Sequence, residues 1–237
     1  IGVTPETILS TYPTVQIGYG GAIAANTTNP SRFSIAANSY INSSGNRAYI
    51  QTDEATEMWM NAGTYEFRVA ASGTADSDIT WTTGFEIRND GKARAKNGLL
   101  FGTDTAAANA LDDYEEGTWT PSAVGGLSGL TATDCHYRKI GSLVHIAGRV
   151  SGFTGINTST LQFGGLPFNP THSSSSGTVS TTFVDLDQGY QLWMYLAHDE
   201  PKIYLRYQMN NAQYNSLAGS DISSSSNIHF NATYIVD

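Results

Sequence analysis

An all-β chain is predicted, with an N-terminal β domain over residues 1–98, a connector over 99–117 and a C-terminal β-sandwich of jelly-roll type over 118–237. Three observations predict it. Only 14% of the 237 residues are charged, against about 25% in ordinary soluble domains, and polarity comes from Ser, Thr, Asn and 24 Gly instead. Apolar residues recur at every second position in many short segments, which is the period of a half-buried strand. Turn pairs such as Gly20-Gly21, Asn29-Pro30 and Ser44-Gly45 separate those segments, and no sustained run of helix formers interrupts them.

In the N-terminal part, Val15–Tyr19, Phe33–Ala36, Ala48–Gln51 and Met58–Met60 read as strands. Tyr65–Val69 sets Tyr65, Phe67 and Val69 on one face and Glu66 and Arg68 on the other. Phe85–Lys92 alternates and then enters an Asp90-Gly91 turn, so a hairpin is predicted there. The gaps between these strands are polar. A monomeric core is hard to close around them, and subunits covering one another's strand edges are expected.

In the connector, Ala106–Leu111 has room for one or two helical turns, too few to hold alone. Beyond it, Leu143–Val150 predicts a strand with Val144, Ile146 and Val150 inward and His145 and Arg149 outward. Leu161–Phe163 and Thr178–Val184 are further strands. Gln191–Ala197 is apolar on both faces, which predicts a central strand or a subunit contact. Ile203, Leu205, Tyr207 and Met209 alternate with Tyr204, Arg206 and Gln208. In the last segment Ile228, Phe230, Ala232, Tyr234 and Val236 share one face. About eight strands at such spacing suit a sandwich or jelly roll.

The net charge of −9 repels a phosphate backbone, so nucleic acid is not an expected partner. The lone Cys135 excludes an internal disulfide. No apolar run approaches the ~18 residues of a membrane helix, and no membrane insertion is expected. Gly18–Gly21 lacks the Lys-Ser/Thr ending and the helix of a phosphate loop. Gly126-Leu-Ser128-Gly129 lacks the pattern of a serine nucleophile elbow. Cys135 and His136 are sequence neighbours and point oppositely on a strand, so they form no dyad. His136, His145, His172, His198 and His229 show no metal-ligand spacing, and neither a metal nor another cofactor is expected. Asp112, Asp113, Glu115 and Glu116 could meet around a symmetry axis and hold an ion, but a solvated acidic connector is the simpler account. Asp185 and Asp187, two apart on a strand, would stand roughly 6–7 Å from each other, as in an inverting glycosidase. They lead straight into a turn, where Asp is ordinary. No catalytic residue is assigned, and the chain is not expected to be an enzyme.

Aromatics carry the strongest binding signal. Sugars stack their C–H faces on Trp and Tyr while amides and hydroxyls satisfy their hydroxyl groups. The C-terminal part offers Tyr190, Trp193, Tyr195, Tyr204, Tyr207 and Tyr214 beside Asn210, Asn211, Gln213 and Asn215. Core and subunit packing accounts for most aromatics of this kind. The residues singled out for ligand contact are Tyr190, Trp193, Tyr204, Asn210, Asn211 and Tyr214, with Tyr204 exposed by strand alternation and Tyr214 by its polar loop.

Asn97–Pro121 contains Asn97-Gly-Leu-Leu-Phe101-Gly, the alanine-rich Thr103–Leu111 and Asp112-Asp-Tyr-Glu-Glu116-Gly-Thr-Trp119-Thr-Pro121. It resembles the connector ahead of the C-terminal head in bacteriophage tail-fibre proteins. The N-terminal part is similar to a β module of phage fibres and spikes at Ile1-Gly2, Thr4-Pro5, Tyr49-Ile50, Tyr65-Glu-Phe67, Ala70–Ala75 and Phe85–Gly91. The order Gly117–Pro121, Tyr137–Val144, Gly165–Phe168 and a short last strand resembles fibre tips. Together these resemblances cover most of the chain.

They imply an intertwined homotrimer with a shaft-side module, a neck and a receptor-binding head, joined to upstream fibre and tail proteins in the virion. They also imply multivalent attachment to a bacterial surface polysaccharide or an outer-membrane protein. A purely structural virion protein and a glycan depolymerase are the alternatives, and a bacterial adhesin or lectin domain also fits the composition. The chain opens on Ile1 rather than Met, so further protein is expected to precede it.

Overall fold

The computed structural model describes residues 2, 4–172, 175–186, 191–208 and 213–237, with the backbone alone at 175 and 176. Its regular structure is strand throughout, apart from two three-residue 3-10 turns at Ala107–Asn109 and Gly219–Asp221. The chain forms two compact units, Ile1–Asp112 and Asp113–Asp237.

The first unit contains β1 (Thr14–Ile17), β2 (Gly21–Ala25), β3 (Phe33–Ala37), β4 (Ser39–Ile41), β5 (Arg47–Tyr49), β6 (Asp53–Asn61), β7 (Thr64–Gly73), β8 (Thr82–Ile87) and β9 (Ala93–Ala95). Seven of them make one antiparallel sheet in the order β1-β2-β3-β6-β7-β8-β9, and β4 and β5 pair separately. The β8–β9 hairpin forms where Asp90-Gly91 predicted it. Gly91 has φ +81°, a conformation that suits glycine, and its N–H donates to the Arg88 carbonyl at 2.9 Å.

Across this sheet the register aligns Val15, Ile23, Ile35, Met58, Phe67, Phe85 and Ala95 in one row on one face. The opposite face of the same strands carries Gln16, Ser34, Glu57, Glu66, Arg68, Glu86 and Arg94. Glu57 is buried there against Arg47, with Arg68 at 3.6 Å. Buried apolar groups within the unit amount to small clusters, Tyr12/Ala24/Ile41, Tyr40/Ala48/Ile50 and Tyr49/Ala55/Ala70. In the connector, Leu99 and Leu111 exchange backbone hydrogen bonds at 3.0 and 2.9 Å. Between them Ala107–Asn109 makes a single 3-10 turn, the short end of the one or two helical turns that six residues allow.

The second unit contains β10 (Tyr114–Thr118), β11 (Ser122–Gly125), β12 (Gly129–Ile140), β13 (Leu143–Thr154), β14 (Gln162–Gly164), β15 (Ser175–Val184), β16 (Leu192–Leu196), β17 (Lys202–Gln208), β18 (Tyr214–Ser216) and β19 (Ile222–Ile235). All ten join one sheet in the order β10-β12-β13-β19-β15-β16-β17-β14-β11, with β18 added beside β17. The expected eight strands are therefore ten, since the short β11 and β18 carry no strong alternation of their own.

The sheet curls. Phe153 on β13 and Phe163 on β14, five places apart in the strand order, stack with centroids 6.2 Å apart, and Trp119 meets Phe230 edge-on at 5.9 Å. Inside lie Val144, Ile146, Val150, Leu161, Met194, Leu196, Ile203, Leu205 and Ile228, all fully buried, and each contributes about 1.5–3 kcal/mol. The inward sets predicted for β13, β17 and β19 are found inside. Met209 lies outside the described residues.

Candidate functional site

The face of this second sheet that points away from the core is built by strict strand alternation. On β16, Met194 and Leu196 point inward, so Trp193 and Tyr195 point outward. On β17, Ile203 and Leu205 point inward, which turns Tyr204 and Arg206 outward. Pairing then sets Trp193 opposite Arg206 and Tyr195 opposite Tyr204. On its other side Trp193 faces Thr178, Thr178 faces Asn231, Asn231 faces Ala147, and Ala147 faces His136. A second row runs through Ser180, His229, Arg149 and Thr133. The result is a strip of rings and guanidinium continued by hydroxyl, amide and imidazole groups.

Arg206 organises the aromatic end. Its guanidinium carbon lies 3.7 Å from the centroid of Tyr195 on one side and 4.3 Å from that of Tyr214 on the other. Trp193 meets Tyr214 edge-on at 6.4 Å, and Tyr195 meets Tyr204 at 6.1 Å. Such cation–π contacts are worth about 0.5–2 kcal/mol each, more where water is excluded. Arg206 Nε is buried and makes no hydrogen bond among the described residues, so stacking holds this side chain.

Two hollows open on the face and share Thr178. One, of about 520 Å³, is lined by Asp134, Arg149, Thr178, Ser180, His229 and Asn231 among others. The other, of about 490 Å³, is lined by Gly177, Thr178, Gln191, Trp193 and Gln208. Both volumes fall within the ~300–1,000 Å³ range of small-ligand sites. Asp134 is the bulge residue of β12, with φ +53°, and the bulge tucks Cys135 into the core opposite Gly148.

Of the ligand-contact residues expected from sequence, Trp193, Tyr204 and Tyr214 come together in this cluster. Tyr190, Asn210 and Asn211 lie outside the described residues. Tyr204 takes the outward face that alternation assigned, yet is half-buried, because Tyr195 and Glu200 flank it. Tyr214 is 51% exposed, from the short β18 rather than from a loop. Arg206, Thr178, His229 and Asn231 were not singled out. Only the cross-strand register joins them to Trp193, and no local pattern in the sequence carries it.

Tyr204 donates to Glu200. That bond holds the Glu200 carboxyl below its ordinary range and pushes the Tyr204 phenol up to about 12. The raised phenol contributes fully below its ordinary value of 10 and loses its contribution as pH rises through 12. The depressed carboxyl contributes above the ordinary carboxylate range and loses its contribution as pH falls through its lowered value. The pair is therefore intact across neutral pH. In an alkaline absorbance titration, Tyr204→Phe should remove one late-titrating phenol, and Glu200→Gln should move that phenol to lower pH. An unchanged curve for Glu200→Gln would show that the bond is not formed in solution.

The other chemistries weighed find these surroundings. Cys135 is buried, its thiol raised by desolvation, and His136 points to the opposite face. Asp113 is taken by Lys139, while Glu116 accepts from Tyr114 at 2.9 Å and lies 3.6 Å from Arg138. No group of three His, Cys, Asp or Glu side chains among the described residues could hold a metal ion. Asp185 is described, but Asp187 lies outside the described residues, so their pairing has no geometry here. Comparison of the chain with protein families, with curated proteins and with solved structures finds no match in any of the three.

Proposed function

We propose that this chain is the C-terminal part of a bacteriophage tail fibre and attaches the virion to a bacterial surface polysaccharide or outer-membrane protein. The observation that carries this is the outward strip of the second unit. There Trp193, Tyr195, Tyr204 and Tyr214, ordered around Arg206, run into the hydroxyl, amide and imidazole groups of Thr178, Ser180, Asn231 and His229. Ring faces beside neutral hydrogen-bonding groups suit a saccharide. The resemblance of Asn97–Pro121 to fibre connectors supports the virion setting.

In this reading the first unit is the shaft-side module and the second is the head, a jelly-roll-like β-sandwich made from the two halves of one curled sheet. The chain is an intertwined homotrimer joined to upstream fibre and tail proteins, and it works outside the cell in the assembled virion. Three weak sites on one fibre multiply through effective concentration, so firm adhesion needs no tight single site. A purely structural virion role is the second reading. The wide apolar face of the first unit favours it, since assembly alone would explain that surface. A depolymerase has less support, because Asp134 is the one carboxylate lining either hollow among the described residues.

The deciding experiment is light scattering of the purified chain with binding to whole bacteria on the same sample. The expected result is a mass of about 76 kDa, three times 25.4 kDa, and decoration of some strains. A trimer that decorates no strain of a broad panel would leave the structural role. A folded monomer would remove the trimeric fibre.

A further inference from the structure

We infer that the apolar face of the first unit's sheet is a self-association surface, covered by further copies of this chain, and that the unit completes its core only between copies. The inference rests on the homotrimer of the proposed function and locates its interface. From sequence, the reason for assembly was strand edges. The structure puts the demand on a sheet face instead.

The row Val15, Ile23, Ile35, Met58, Phe67, Phe85 and Ala95 is flanked on the same face by Ile17, Ala37 and Val69 and by Phe33, Met60, Tyr65 and Ile87. Thr56 and Thr82, both paired with Val69, are the polar side chains that join the set, and no residue of the set is charged. Ile17 is 54% exposed, Val69 52% and Phe67 45%. A hollow of about 510 Å³, lined by Ile35, Met58, Phe67, Val69 and Phe85 together with Thr56, Glu57 and Arg68 among others, lies in the middle. From the fractional exposures, the apolar surface offered is roughly 700 Å², close to the ~800 Å² per partner of a stable interface and above the patches a monomer tolerates.

The occupant follows from what the unit lacks. The charged side chains Glu57, Glu66, Arg68, Glu86 and Arg94 are turned to the other face, Glu54 precedes Thr56 at the start of β6, and the unit's internal apolar clusters have about three buried residues each. A sheet needs one packed face to be stable. A cover that must be present whenever the chain folds, in fixed ratio and with an uncharged matching surface, is another copy of the same face. Three copies around a threefold axis would turn these rows of Ile, Val and Phe toward one shared interior.

Two readouts on the full chain test this. Ile35→Glu and Phe67→Glu place a charge at the centre of the face, and each should raise the dissociation constant by on the order of 10³-fold or more. As a check that does not depend on a disruptive change, Ile35→Cys is compared with Tyr19→Cys for reaction with a thiol reagent. Cys135 is buried and contributes little background. The thiol at position 35 should react about tenfold or more slowly than that at position 19 in the assembled protein. Equal rates, or glutamate variants with the wild-type mass, would overturn the inference. Cell binding by the wild-type chain is scored separately. A protected position 35 in a protein that decorates no cells would keep the interface and sink the receptor-binding role.

Discussion

Glu57→Ala is expected to destabilise the first unit by about 3–5 kcal/mol, the cost of leaving a buried cation without its partner. The Glu57 side chain is wholly shielded from solvent and sits against Arg47, whose side chain is 10% exposed. Arg47 also reaches the Ser34 hydroxyl at 2.5 Å, and the guanidiniums of Arg47 and Arg68 each lie 5.2 Å from the Trp59 ring centroid. Arg68 keeps a second carboxylate, Glu66, at 3.0 Å, so Arg47 is the group left unpaired. Hydrogen exchange read unit by unit, at a protein concentration that keeps the assembly intact, should show faster opening of β3, β6 and β7 and no change in the second unit. The double change Glu57→Met with Arg47→Met should recover most of the loss, since an apolar pair of similar size removes both buried charges. If Glu57→Ala alone leaves exchange in β6 unaltered, the pair is not a structural keystone.

The second large effect concerns adhesion. Trp193→Ala should weaken a single receptor site by about 30-fold, the scale of a 2 kcal/mol aromatic hot spot. On a trimer using three sites, the loss of cell binding should reach about 10⁴-fold, because the linked sites weaken together. Arg206→Ala should act in the same direction by releasing Tyr195 and Tyr214 from either side of the guanidinium. Met194 and Leu196 keep β16 anchored in the core, so the head should remain folded in both variants. Tyr114→Ala, an exposed tyrosine at the far edge of the same sheet, serves as the control and should bind as wild type. Unchanged adhesion of Trp193→Ala would move the receptor site off this face.

Much of the strand architecture was legible because strand periodicity is local. Two-residue alternation in Leu143–Val150, Ile203–Gln208 and Ile228–Val236 named the inward residues, and the Asp90-Gly91 pair named the hairpin. Part of the candidate site was legible too: alternation turned Tyr204 outward, whereas Trp193 was named for its ring, since Gln191–Ala197 is apolar on both faces. The companions of Trp193 were not, since Thr178, Asn231 and Arg206 lie on three other strands.

By itself, then, the amino-acid sequence determined the all-β class, the hairpin and the two faces of the strongly alternating strands, because these depend on residues a few positions apart. Only the tertiary structure decided that β19 lies between β13 and β15, bringing His229 and Asn231 beside Ser180 and Thr178. Only there does Arg206 find the rings of Tyr195 and Tyr214. The apolar face that the first unit's own strands leave open is likewise a product of the fold. Periodicity shows that Tyr65, Phe67 and Val69 share a side, but it cannot show whether another part of the chain packs over them. Strand order and register are settled by long-range burial against the entropy of closing long loops, and that balance has no signature in any single segment.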